Sequence, residues 1–157
     1  NYVGMYGLGE VGARPGGGNG CFFRNSRVSL ASITDGASQT IAIGERSHNL
    51  SYATWTARSI DGWLYKTSAI NGGSDKFHAE AEECWTQILG PVGLEDGNRT
   101  PNNPEAHVED YWSYHPSGVN FLFADGSVHF IKNSIHPLVY QGMATRAKGE
   151  VISSDQY

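Results

Sequence analysis

At 157 residues the chain is long enough for one domain that buries a real core without metals or many disulfides. Its charged fraction is 17%, against the roughly one quarter usual for soluble domains, and it carries 20 glycines, a combination that favours a loop-rich, strand-rich surface protein over a helical bundle. Net charge is −5, and the 11 Lys and Arg form no run, which argues against a nucleic-acid partner, because phosphate binding needs a basic stripe. No stretch is long or apolar enough to span a bilayer. Residue 1 is Asn rather than an initiator Met, which reads as a processed or truncated product.

The front of the chain, residues 1–20, holds eight glycines and reads as an extended arm or large loop. Gly7-x-Gly9-x-x-Gly12 matches a dinucleotide fingerprint by letters, but it neither follows a hydrophobic strand nor opens a helix. Ser29 to Ile33 predicts one helical turn capped by Ser29, and Thr34-Asp35-Gly36 breaks it. Thr40 to Glu45 predicts a strand, and Ala53 to Arg58 a weaker one. Residues 50–110 read as a variable insertion with a helical turn near Lys76–Glu83.

The clearest local pattern begins at 118. Gly118 to Ala124 is an apolar strand, Asp125-Gly126 suits a two-residue type I′ turn, and Ser127 to Ile131 returns. A two-residue turn sets Phe123 opposite Val128 and Phe121 opposite Phe130, four side chains on one apolar face. Leu122, His129 and Ile131 then share the other face, which predicts a central hairpin covered on both sides. A helix follows, with Pro137 in its first turn, a stripe of Leu138, Val139, Met143 and Ala147, and Gly149 as its stop. Val151-Ile152 reads as a last short strand. The fold class is α+β, an antiparallel sheet with few short helices and long loops, in a single domain over 1–157 whose last part, 111–157, is hairpin plus C-terminal helix.

His115-Pro116-Ser117-Gly118-Val119-Asn120-Phe121-Leu122-Phe123-Ala124-Asp125-Gly126 resembles the signature of the H-x(9)-D-G domain, found in a planctomycete-type family of prepilin-like proteins. Gly20 to Arg27, Ile33 to Ile41, Gly44-Glu45-Arg46, Ala144-Thr145-Arg146 and Gly149-Glu150-Val151 are similar to further segments of that family, in the same order. The family is labelled a domain of unknown function, and some classifications call it solute-binding. The resemblance implies a pilin-like or pseudopilin-like head lacking its N-terminal helix, placed in the periplasm or on the surface of a bacterium. Its implied partners are other pilin-like subunits or a secretion apparatus. Membrane attachment is implied only through an apolar helix absent from this sequence.

Residue by residue, the chemistry reads as structural, and the chain as no enzyme. Asp35-Gly36 and Asp125-Gly126 are turns, whose Asp and Gly tolerate the backbone such turns need; a calcium site on Asp35 and Asp125 is the alternative, and no other cofactor is expected. His115 is read as locking the loop backbone at the start of the strand, with a ligand or acid–base role as the alternative, and His129 as packing. His78-Ala79-Glu80 with Cys84 is half of a zinc deaminase pattern whose other half is missing. Glu80, Glu82 and Glu83 suit a solvated helix start, and Glu109-Asp110 forms a carboxylate pair of unknown separation from any other. Cys21 and Cys84 either pair across a long loop or stand as two separate buried thiols. Trp55, Trp63, Tyr65, Trp85 and Trp112, with Tyr111 and Tyr114, serve core and loop anchoring; the second reading is a carbohydrate- or solute-binding surface, with polysaccharide as partner.

Overall fold

The computed structural model describes residues 1–47, 62–67, 74–79, 88–93, 99–104, 106 and 109–157, with 62–67 and 74–79 described as backbone. Seven strands and one α-helix are present among them: β1 (Tyr2–Leu8), β2 (Ile41–Glu45), β3 (Gly62–Thr67), β4 (Ser74–Ala79), β5 (Leu89–Val92), β6 (Gly118–Phe123), β7 (Val128–Lys132) and α1 (Pro137–Ala144). Five strands form one sheet in the order β5-β1-β2-β6-β7, and β3 pairs with β4 in a separate two-stranded sheet. All neighbours are antiparallel except β1 and β5, so the fold is α+β, with a mostly antiparallel sheet and few helices.

The glycine-rich front is only partly loop. Tyr2 to Leu8 is not an arm but an inner strand, because Val3 and Met5 alternate into the core and the flanking glycines leave room for close neighbours. Lys76 to Ala79 lies in β4 rather than in a helical turn, with His78 paired to Trp63. The weaker strand expected at 53–58 lies outside the described residues, as do Glu80, Glu82 and Glu83.

The hairpin differs from its expected register by one residue. Gly126 has φ +90 and its N–H donates to Phe123 O (3.0 Å), while Phe123 N donates to Ser127 O (2.8 Å). The loop is therefore Ala124-Asp125-Gly126, a type I turn closed by a left-handed glycine, instead of a two-residue type I′ turn. The pairs become Leu122↔Val128, Phe121↔His129 and Asn120↔Phe130. A one-residue slip moves every side chain of the returning strand to the opposite face. So Val119, Phe121 and Phe123 share the core face with His129 and Ile131, whereas Val128 and Phe130 are exposed beside half-buried Leu122 and Ile43. Nor is the hairpin central: β7 is the edge of the sheet.

The main core lies on the first face. Val3, Met5, Ile41, Phe121 and Phe123 pack there against Tyr140, Met143 and Ala144 of α1. His136 caps the helix by accepting Leu138 N–H at Nδ1 (3.3 Å), and Pro137 takes the first position, where no N–H is needed. The helix ends at Ala144, short of the expected Ala147 and Gly149. Thr145, fully buried and extended, turns the chain away: its O accepts from Thr40 Oγ1 (3.5 Å) and its hydroxyl donates to Gly142 O (3.2 Å). Leu138, predicted on the packed stripe, is exposed. Val151-Ile152 forms no strand; Ile152 packs on the core ahead of a 3-10 turn at Ser154–Gln156.

Candidate functional site

The segments that carry the family resemblance meet through hydrogen bonds. Asp35 is the first meeting point. Its carboxylate accepts from Lys148 N (2.8 Å) and Gly149 N (2.8 Å), and its own N–H donates to Arg146 O (3.2 Å). Gly36, at φ +103, turns the chain so that its carbonyl accepts from Thr40 Oγ1 (3.0 Å). This joins the 33–41 segment to the tail over 145–149. Asp35→Ala is expected to lower stability by about 1 kcal/mol, and proteolysis should then cut first within 146–150, a result that limited digestion with mass spectrometry reads directly.

Arg146 extends the same tie to the front loop. Its Nη1 donates to Gly18 O (3.1 Å) and Gly20 O (2.8 Å), and its guanidinium lies 5.1 Å from the Phe23 ring centroid, a cation–π distance. Cys21 sits beside this tie as a buried free thiol. Burial pushes its pKa up to about 11, with Arg146 pulling in the opposite direction, so at neutral pH it is an unreactive S–H. Cys84 lies outside the described residues.

Gly44-Glu45-Arg46 forms the third tie. Arg46 is fully buried. Nε donates to Asp110 O (2.9 Å), and Nη2 donates to Leu89 O (3.4 Å) and to Glu109 O. Burial lowers the Arg46 pKa, and the neighbouring Tyr111, Glu109 and Asp110 hold it up. Tyr111 OH donates to Gly90 O (2.8 Å), and burial drives this phenol well above its ordinary range. Glu109 and Asp110, weighed in the sequence as partners for another carboxylate, are buried, and Asp110 pairs with Arg99 (3.3 Å). Sequence reading found Arg46 as part of a motif and gave it no role of its own. The register shifts between Ile41 and Ile43, so Gly44 and Arg46 face inward, which an unbroken strand period counted from Ile41 does not predict.

At the hairpin, Asp125 Oδ1 accepts from Ser127 N (2.9 Å) and Ser127 Oγ (2.6 Å), and this hydrogen bonding lowers the Asp125 pKa. Ser127 Oγ also meets His129 Nε2 (2.9 Å). Asp125 N donates to Ala37 O (3.1 Å), which docks this turn on the Asp35 segment. His129 packs as expected, edge-on to Phe123 (4.7 Å) and Tyr157 (5.6 Å). His115 does lock the start of β6, but through its main chain: its N–H donates to Ser113 Oγ (3.1 Å) and its O accepts from Asn102 Nδ2 (2.5 Å). The ring instead stands over Phe130 (5.9 Å), with Nε2 3.9 Å from Glu45 Oε2.

Trp112 bridges to Arg46 and meets Tyr114 edge-on at 5.9 Å, with Tyr114 exposed. Trp63 and Tyr65 fall in β3, where only backbone is described, and Trp55 and Trp85 lie outside the described residues. Among the described residues, no group of three or more His, Cys, Asp or Glu comes together as a metal site. No described helix is long and apolar enough to cross a membrane.

A family model described as "Protein of unknown function (DUF1559)" matches residues 4–138. No curated protein and no solved structure matches the chain.

Proposed function

The chain belongs to the DUF1559 family of proteins of unknown function, and from that membership we propose that it is a non-enzymatic, pilin-like or pseudopilin-like head domain. In this reading it works outside the cytoplasm as a structural subunit of a cell-surface filament or secretion apparatus. The observation that carries the proposal is what the charged motif residues do. Asp35 holds two main-chain N–H groups, Arg46 and Arg146 hold main-chain carbonyls, and Asp125 holds its own turn. A general acid, base or nucleophile needs a free partner atom facing a substrate. These groups instead fasten loops to a sheet, which suits a scaffold that displays surface. Its partners are then further pilin-like subunits, and it needs no cofactor.

Two measurements test this. Antibody against the chain should label intact bacterial cells and follow the sheared filament fraction; confinement to the cytosol would overturn the reading. In a thermal-shift assay, calcium and EDTA should leave the melting temperature unchanged, because the Asp35 and Asp125 carboxylates already accept hydrogen bonds. A calcium-dependent rise would establish a cation site. The Trp112–Tyr114 pair, with Tyr114 exposed and Trp112 half-buried, favours a second reading, a carbohydrate-binding surface, since aromatic faces stack on sugar rings. Retention on insoluble polysaccharide that Tyr114→Ala abolishes would decide for it.

A further inference from the structure

We propose that β7 is an association edge, and that it pairs antiparallel with β7 of a second copy of this chain, about a two-fold axis at Phe130. The inference goes beyond the pilin-like reading and does not depend on it.

The phase of the β6–β7 ladder fixes which groups are free. Phe123 N donates to Ser127 O (2.8 Å), and Asn133 N donates to Ser117 O (2.9 Å). In an antiparallel pair the bonded positions alternate. Ser127, His129, Ile131 and Asn133 therefore direct their main-chain groups toward β6, and Val128, Phe130 and Lys132 direct theirs away from the sheet. β7 is the last strand in the order, so these outward groups meet no strand among the described residues.

Natural edges are blunted by proline, bulges, inward charges or lysines along the edge. The opposite edge of this sheet follows that rule: β5 contains Pro91, and the register against β1 shifts between Met5 and Gly7. β7 has no proline and no register shift along its five pairs with β6. On its exposed face it presents Val128, 65% exposed, and Phe130, 39% exposed, with Lys132 at the end.

The strand complements itself. With the axis at Phe130, Val128 lies opposite the partner's Lys132, and Phe130 opposite the partner's Phe130. This register engages all three outward residues of both strands. It brings two aromatic rings together across the junction, a stabilising cross-strand pair. It also lays each lysine stem along a valine and keeps the two ammonium groups at opposite ends of the ribbon. Like charges do not face each other, which is the arrangement a two-fold contact requires.

Sedimentation of the 157-residue chain across a concentration series tests the proposal. The expected species has twice the chain mass and dissociates on dilution. Val128→Lys sets a lysine against the partner's Lys132 and should weaken association on the order of tenfold or more, with circular dichroism unchanged. Phe130→Pro removes one outward N–H and none of the bonds to β6, and should also give a monomer. Val128→Lys carries the test where the proline disturbs folding, because Val128 is an exposed side chain. A monomer at every concentration up to the solubility limit would overturn the proposal. So would a dimer indifferent to Val128→Lys, or a monomeric chain that captures unrelated extended peptides at this edge.

Discussion

Arg46→Ala is expected to destabilise the fold by about 3–5 kcal/mol, the range for breaking a buried charged network. The guanidinium satisfies main-chain oxygens of Leu89, Glu109 and Asp110, groups drawn from two segments distant in sequence from β2. Alanine leaves these acceptors without the donor and opens a cavity the width of the side chain. Each buried acceptor left unmade carries a penalty of about 1–3 kcal/mol. The loss is a large share of the roughly 5–15 kcal/mol that separates a typical domain from its unfolded chain. In urea, the midpoint should fall sharply while the slope stays that of the parent. Arg46→Met keeps much of the volume and should cost less than alanine. Arg46→Lys should remain well below the parent, because a single ammonium cannot reproduce the fork that spans Leu89 and Asp110. A change in midpoint within experimental error for Arg46→Ala would mean that the 109–110 segment is held by something else.

Gly44→Ala should be strongly disruptive for the addition of a single methyl. A Cβ at position 44 would stand 2.2 Å from Tyr111 Cδ1 and 2.5 Å from Phe121 Cε1, far inside van der Waals contact. Neither ring has an easy retreat. Tyr111 is anchored by its hydroxyl on Gly90 O, and the two rings pack against each other at 5.1 Å. Overpacking of this kind costs about 1–3 kcal/mol, so the melting temperature should drop by roughly 2–12 °C for a chain of this size. The cause can be isolated. Trimming the ring with Tyr111→Leu should cost stability alone, yet cost less in the Gly44→Ala background. That coupling between neighbours is what a double-mutant cycle measures. Strict additivity would place the strain elsewhere.

Much of the sheet was legible because its strands obey simple periods. Ile41 to Glu45 and Gly118 to Phe123 stand where their β-branched and aromatic residues put them. What misled was the turn. Asp125-Gly126 suits a two-residue loop and a three-residue loop equally by composition, and the choice decides which half of β7 is wet. Ala124 N donates to Thr40 O and Asp125 N to Ala37 O, so the selection is made by the turn segment just before β2, far earlier in the chain, which no local pattern records. The helix end was missed for the same reason. Ala147 continues the apolar stripe, but Thr145 is claimed by Thr40, and tertiary bonding overrides propensity. β1 was hidden by glycine content, which argues for loop until close-packed neighbours give a reason for it. The motif residues were found as letters, yet the work of Asp35, Arg46 and Arg146 as clamps could not be read, since their partners lie far along the chain.

The order of strands in the main sheet also constrains how the molecule comes into being. β1 and β2 leave the ribosome first, but their outer neighbours are β5 and β6, and β6 begins at residue 118. Synthesis therefore holds a bare two-stranded ribbon in waiting until most of the polypeptide has emerged. Contacts this distant in sequence slow folding, because loop-closure entropy must be overcome before they form. Yet the same entropy grows only logarithmically, by about 0.6 kcal/mol per doubling of loop length. The stretch between β2 and β5 can thus lengthen or shrink among relatives while the scaffold, once closed, remains the same.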